Sequence, residues 1–193
     1  MKTPKNLNIA IDIDDTIMNT FDYLIPCVAE YFNVDIAYLK ENNISYCNLP
    51  EEWQKDEISF AQKYYDKVIE DTPPKADVTK YLSKIKQIGH SIFIITARNK
   101  DLYTDPYQTT INQLQKSQIC YDKLICSFDK AKTCIEEKID LFIDDSPHNC
   151  MAVKNAGIPV LLFDSKHNQN VTDFERVYNW KDVYEYIVNF MAG

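Results

Sequence analysis

Six side chains carry the chemistry of this chain: Asp12, Asp14, Thr96, Lys130, Asp144 and Asp145. With Asp15, the first two place three carboxylates within four residues. Such groups repel one another, so a fold that gathers them must set a cation beside them. Thr96, Asp144 and Asp145 also close apolar runs, and Lys130 follows a capping residue, Asp129. Two carboxylates, a hydroxyl, an ammonium and a further acidic pair suit a phosphoryl group held together with a divalent ion. The ion would neutralise the carboxylates, while Thr96 and Lys130 hold phosphate oxygens. Each feature also has a plainer reading. Thr96 alone is an ordinary strand-end hydroxyl, Lys130 a solvated helix lysine, and Asp144–Asp145 the caps of a helix opened by Pro147.

These residues need elements that bring them together. Leu7 to Ile11 is an apolar run rich in β-branched residues that stops at Asp12, the signature of a buried strand with its loop at the C-terminal end. From residue 91 onward strands and helices alternate. Ser91–Ile95, Lys123–Ser127, Ile139–Ile143 and Pro159–Phe163 read as strands. Tyr107–Gln118, Lys130–Lys138, Pro147–Ala156 and Trp180–Phe190 read as helices, with Gly157 closing the third. A further helix runs from a cap at Asp77, through a stripe of Val78, Tyr81, Leu82, Ile85 and Ile88, to Gly89. Single helices between strands imply right-handed crossovers, hence an α/β fold: a Rossmann-like parallel sheet with helices on both faces. In such a sheet the strand ends lie side by side, so the six residues converge.

The segment after the first strand is too long for one crossover and holds no convincing strand. Ile17–Asn33 has helical spacing, with Pro26 as a kink or boundary. Val34–Pro50 reads as connecting loops, and Glu51–Glu70 as a second helix with Ile58, Ala61, Tyr65 and Val68 on one face. Asp71-Thr72-Pro73-Pro74 breaks the pattern. The expected division is a core of residues 1–17 and 75–193 with a small helical cap, 18–74, inserted after the first strand.

A net charge of −8 and a pI near 4.9 argue against a protein that grips a nucleic-acid backbone. No apolar run reaches the length of a membrane span, and the opening MKTPKNLN lacks the apolar core of a signal peptide. The six cysteines (27, 47, 120, 126, 134 and 150) form no CxxC pair, and His90, His148 and His167 are scattered. Reduced, buried cysteines and a cytoplasmic location are therefore expected.

Taken in order, DIDDT, IITAR, DKAK and LFIDDS resemble the motifs of the haloacid dehalogenase superfamily, specifically its aspartate-nucleophile phosphatases. IITAR, IDLFIDDSPHN and the helical insertion resemble the 5′(3′)-deoxyribonucleotidases and related bacterial nucleotidases, over nearly the whole chain. The resemblance implies that Asp12 attacks phosphorus and that Asp14 protonates the leaving oxygen and then activates water. It implies phosphate contacts from Thr96, Ala97 and Lys130, with Arg98 either touching phosphate or pairing with an acidic neighbour. It implies Mg²⁺ held by Asp12, the Asp14 carbonyl and Asp145, while Asp144 orients Lys130 or a metal-bound water. Lys132 competes with Lys130 for the motif lysine; the position just after Asp129, at a helix start, favours Lys130.

The cap aromatics Trp53, Phe60, Tyr64 and Tyr65 either stack on a nucleobase or form core, and His148–Asn149 either approach the substrate or cap a helix. Tyr103–Tyr107 is a candidate pocket rim. The expected substrate is a small phosphorylated metabolite, foremost a nucleoside monophosphate, with no nucleic-acid polymer or membrane as partner; a homodimer is left open. Another small phosphate ester such as a sugar phosphate, and a non-catalytic domain that binds phosphorylated ligands, are the competing readings. A response-regulator receiver uses similar residues in another chain order, and a dehalogenase has no need of Asp14.

Overall fold

A computed structural model of the protein describes residues 6–190. The opening residues in which no leader is expected, and the ends of the expected core at 1–5 and 191–193, lie wholly or partly outside the described residues. Six strands form one parallel sheet: β1 (Asn8–Ile11), β2 (Ser91–Thr96), β3 (Lys123–Cys126), β4 (Leu141–Asp144), β5 (Val160–Phe163) and β6 (Arg176–Val177). Their order is β3-β2-β1-β4-β5-β6, with β1 central. Ile11 pairs with Ile94 on one side and Ile143 on the other, so the chain just beyond these residues emerges at one edge of the sheet. The chain winds from β1 out to β2 and β3 and then crosses back to β4, so the winding reverses between β1 and β4, which opens a crevice at that edge. β4 and β5 are buried at every position because helices cover both faces.

Those helices are α5 (Val78–Gln87), α6 (Pro106–Lys116), α7 (Lys130–Glu136), α8 (Pro147–Asn155) and α9 (Trp180–Phe190). One apolar cluster joins β1, α5 and α9, and another packs α7 and α8 against β4 and β5. Trp180 is buried and donates its indole N–H to the Thr16 carbonyl at 3.3 Å, tying α9 to the loop after β1. Among the described residues no helix is long and apolar enough to cross a membrane.

The insertion holds α1 (Thr20–Phe32), α2 (Ile36–Glu41), α3 (Glu51–Gln54), α4 (Glu57–Val68) and a 3-10 turn over Ile69–Asp71. Its two connecting segments pair at their base: Asn19 N–H donates to Pro73 O at 3.0 Å and Lys75 N–H to Ile17 O at 2.8 Å. It has its own apolar cluster centred on Leu24, Leu39, Phe60 and Tyr65, joined by Tyr103 from the loop after β2.

Several local expectations are corrected. α1 runs through Pro26 as one helix and ends at Asn33 in the left-handed region. α2 stands where loops were expected, because Asp35 caps it by accepting from Ala37 N–H at 2.7 Å. The Glu51–Glu70 helix is broken at residues 55–56, and Trp53 stacks on Phe32 at 4.2 Å. The inward face of α4 is then Phe60, Ala61, Tyr64 and Tyr65, and Ile58 is 54% exposed. Asp77 has φ +59° and makes no side-chain cap. β6 was missed, since two residues carry no periodicity. Of the cysteines only Cys134 and Cys150 are buried, and Cys47 is exposed.

Candidate active site

The crevice at the carboxyl edge of β1, β2 and β4 is a cavity of about 450 Å³. Asp12, Asp14, Thr96, Ala97, Arg98, Lys130, Asp144 and Asp145 all line it, so every core residue singled out in the sequence is brought to one place. The backbone arranges this locally. β1 delivers Asp12 and Asp14 two residues apart, and Asp15 turns the chain away with φ +55°, a conformation aspartate tolerates. Thr96 is the last residue of β2 and is buried. Asp129 caps α7 by accepting from Lys132 N–H at 2.9 Å, which directs Lys130 inward and leaves Lys132 in solvent.

Lys130 is the hub. Its buried ammonium donates to Asp12 Oδ1 and, at 2.7 Å, to Asp144 Oδ2. Burial opposes its charge, but these two carboxylates push its pKa well above the ordinary lysine value. Asp144 is fully buried, and its oxygens are also taken by Ser146 N–H at 2.7 Å and Asn149 Nδ2 at 3.0 Å. Asp144 is thus bonded to Lys130 while Ser146 and Asn149 hold it in place.

Asp12 is pushed up to about 7 by burial and the neighbouring Asp144 and Asp14, against the pull of Lys130. Asp145 stands well above the usual carboxylate range, through burial and then the charges of Asp144 and Asp12. Among the described residues its carboxylate has one weak hydrogen-bond partner, Thr16 Oγ1 at 3.5 Å. Asp12, Asp144 and Asp145 each offer an oxygen within 4.8 Å of the others. A buried acid with nearly all its acceptor capacity unused, beside two more carboxylates, fits a hard divalent cation.

Asp14 sits in different surroundings. Burial opposes its charge, yet the Arg98 guanidinium holds its carboxyl below the ordinary range. Arg98 is buried and grips both oxygens, Nε to Oδ2 at 3.1 Å and Nη2 to Oδ1 at 2.7 Å. Thr20 Oγ1 adds a bond to Oδ1 at 2.7 Å. Arg98 thus pairs with an acidic neighbour, the second of its two expected roles.

The far wall comes from the insertion and differs from expectation. Of the four cap aromatics only Tyr65 lines the cavity; Trp53, Phe60 and Tyr64 lie in the insertion's own apolar cluster. The wall is completed by Phe21, Tyr46, Cys47, Glu57, Leu102 and Tyr103. Tyr46 donates its hydroxyl to Glu57 Oε1 at 3.1 Å and lies edge-on to Tyr65, whose ring is 5.0 Å from Tyr103. Burial lifts the pKa of all three phenols, so Tyr46, Tyr65 and Tyr103 face the cavity as neutral rings beside Glu57. Tyr103 belongs to the pocket and Tyr107, 51% exposed, does not. Asn149 lines the cavity while His148 is exposed. His167, given no role from sequence, also lines it and shares a hydrogen bond with Ser45 at 3.2 Å. Tyr46 lies in a segment that reads as loops, and Phe21 belongs to the helical spacing of Ile17–Asn33, whose facing the sequence leaves open.

Comparison with known proteins agrees with this geometry. The model of a family described as 5′ nucleotidase, deoxy (pyrimidine), cytosolic type C protein matches residues 5–192. A Clostridium acetobutylicum protein named as a nucleotidase is 34% identical over 191 residues, 93% of either chain. A Chlorobaculum tepidum protein with the provisional name 5′(3′)-deoxyribonucleotidase is 27% identical over 192 residues, covering 95% of this chain and 91% of its own. Among solved structures, a haloacid dehalogenase-like hydrolase from Streptococcus pneumoniae aligns with TM-score 0.62 at 14% identity, over 94% of this chain and 98% of that one. The last likeness shows a shared fold.

Proposed function

The chain belongs to the cytosolic type C 5′-nucleotidase family within the haloacid dehalogenase superfamily, and we propose that it is a Mg²⁺-dependent phosphatase of nucleoside monophosphates that works through an aspartyl phosphate. It is a phosphoric monoester hydrolase of the nucleotidase type. The observation that supports the finer reading is that two carboxylates two residues apart face one cavity, each held by its own cation: Asp12 by Lys130, Asp14 by Arg98. Such a division suits one nucleophile and one acid/base.

Asp12 would attack phosphorus as the bond to the ester oxygen breaks, with Asp14 supplying that oxygen's proton. Water would then add to phosphorus as Asp14 takes its proton, and the electron pair of the broken bond returns to the Asp12 carboxylate. Lys130 lies where it can balance charge on Asp12 and the phosphoryl oxygens, and Thr96 and Ala97 border the same space. Asp12, Asp145 and the Asp14 carbonyl would hold Mg²⁺, with Asp144 beside them. When bound, the ion supplies positive charge to the phosphoryl oxygens. Residues 18–74 would act as the cap, with Tyr46, Tyr65, Tyr103 and Phe21 receiving the leaving group.

The test is phosphate release from nucleoside monophosphates, deoxynucleotides and sugar phosphates, with Mg²⁺ and with EDTA. Selective release from nucleotides that EDTA abolishes is expected; turnover of sugar phosphates alone would overturn the substrate class. The wall also separates pocket from core. Tyr65→Ala is expected to raise KM about 10-fold through lost stacking area. Trp53→Ala should leave KM within about 2-fold and act on stability, because Trp53 packs on Phe32 outside the cavity.

Metal affinity should depend on pH. Below about 7 Asp12 holds a proton that the cation must displace. Asp145, also raised well above the usual carboxylate range, adds a second proton, so affinity is expected to fall by about 10- to 100-fold per pH unit below that point. Titration calorimetry of Mg²⁺ binding in buffers of differing ionisation enthalpy would read the released proton.

A further inference from the structure

The grip on Asp14 extends beyond the pocket. Arg98 Nη1 donates to Gln113 Oε1 at 2.7 Å and to Thr110 Oγ1 at 3.3 Å. Gln113 is fully buried on α6, does not line the cavity, and donates its Nε2 to the Ile69 carbonyl at 2.7 Å. Ile69 opens the 3-10 turn that ends the insertion. A chain of bonds therefore runs from the insertion's C-terminal end through Gln113 and Arg98 to the Asp14 carboxylate. Among the described residues, every hydrogen-bond partner of that carboxylate, Thr20 and both Arg98 nitrogens, is a donor to it. Oδ1 accepts two bonds and Oδ2 a single one of 3.1 Å. Oδ2 is thus the oxygen left with a lone pair to use, and the planar fork fixes where it points.

We propose that Arg98, braced by Gln113, is a positioning residue that holds Asp14 as the water-activating base of the second half-reaction. In that step a water oxygen bonds to phosphorus and the water proton passes to Asp14 Oδ2. The bond from phosphorus to the Asp12 oxygen breaks, its electron pair stays on Asp12, and inorganic phosphate leaves. Once its proton has gone to the leaving oxygen, Asp14 is a bare carboxylate that Thr20 and the Arg98 fork hold in place beside the water's path. Lysine in place of Arg98 keeps the charge but not the fork, so the orientation is lost. This inference rests on the reading of Asp12 as nucleophile and Asp14 as base.

The experiment is rapid-mixing turnover of p-nitrophenyl phosphate with Mg²⁺, an ester whose leaving group needs no proton, following nitrophenolate and phosphate separately. Arg98→Lys and Gln113→Met are expected to lower kcat about 10- to 100-fold. Their kcat/KM should fall less than about 3-fold, because it reports only as far as phosphoryl transfer to Asp12. Nitrophenolate should appear as a burst of one per site ahead of phosphate. Equal falls in kcat and kcat/KM with no burst in either variant would overturn the inference, placing Arg98 in phosphate binding or in structure alone. Asp14→Asn is the control. A burst there, with none in the Arg98 and Gln113 variants, rejects the inference and keeps the reaction; no burst even there rejects Asp14 as the base. Should Arg98→Lys fail to fold, Gln113→Met decides alone.

Discussion

Replacing Asp12 with asparagine is expected to lower phosphate release by at least about 10⁴-fold, the scale on which removal of a covalent nucleophile acts. Asparagine keeps the shape of the side chain but has no anionic oxygen to form the acyl phosphate. The loss should come without unfolding. Asp12 is buried, and burial with the neighbouring Asp144 and Asp14 already pushes its carboxyl upward. Removing one negative charge relieves that repulsion, and Lys130 keeps its bond to Asp144 at 2.7 Å. The melting temperature should therefore hold within about 3 °C or rise. Acid quenching during turnover of the parent protein should trap phosphate on the chain, and Asp12→Asn should trap none. Unchanged turnover in the variant would place the nucleophile elsewhere. Tight binding of phosphate esters by the parent protein with no turnover at all would point to a binding domain.

Lys130→Met should be the most destabilising substitution in the site, by about 3–5 kcal/mol, because it removes the shared partner of two buried carboxylates. Asp144 retains Ser146 N–H and Asn149, but Asp12 would lose the cation it is bonded to. Activity should fall with it, by about 10²- to 10³-fold, the range for loss of one preorganised electrostatic contact. Added Mg²⁺ should restore part of the stability, since a cation bound by Asp12 and Asp145 takes over some of the lost charge. Lys132→Met separates the two lysines that compete for the motif. Its ammonium is 3.9 Å from Glu136 with both side chains more than half exposed, a surface pair worth little. Chemical denaturation and initial rates on both variants check the pair; equal effects would overturn the assignment to Lys130.

The insertion also shows why the pocket wall is the part of the site most open to engineering. Phe60 is held by Tyr31, Tyr46 and Tyr64 and stiffens the wall from behind without touching the cavity. Tyr46, Tyr65 and Glu57 face the cavity itself, so changes there act on binding more than on folding.

What the sequence determined by itself was the core and its chemical edge. Strand period, the helix cap at Asp129 and the four motifs are local signals read within a few residues, whereas the cap before Pro147 is Ser146 and not Asp144 or Asp145. A parallel sheet with crossovers then leaves the strand ends no place but together, so Asp12, Thr96, Lys130 and Asp144 converge as expected. Tertiary structure decided which groups pair and which side chains face the cavity. Arg98 is 84 residues from Asp14 and Lys130 is 118 residues from Asp12. Whether such groups meet depends on the packing of segments whose sequences do not encode one another. The cap shows the same limit. Aromatics at helical spacing told of a buried face, but a break at residues 55–56 and the packing of Trp53 on Phe32 turned Phe60 and Tyr64 inward. Tyr65 faces the cavity, together with Tyr46 from a segment without periodicity. A helix pattern fixes how residues lie relative to each other on one helix; the rotation of that helix against the rest of the protein is set by packing.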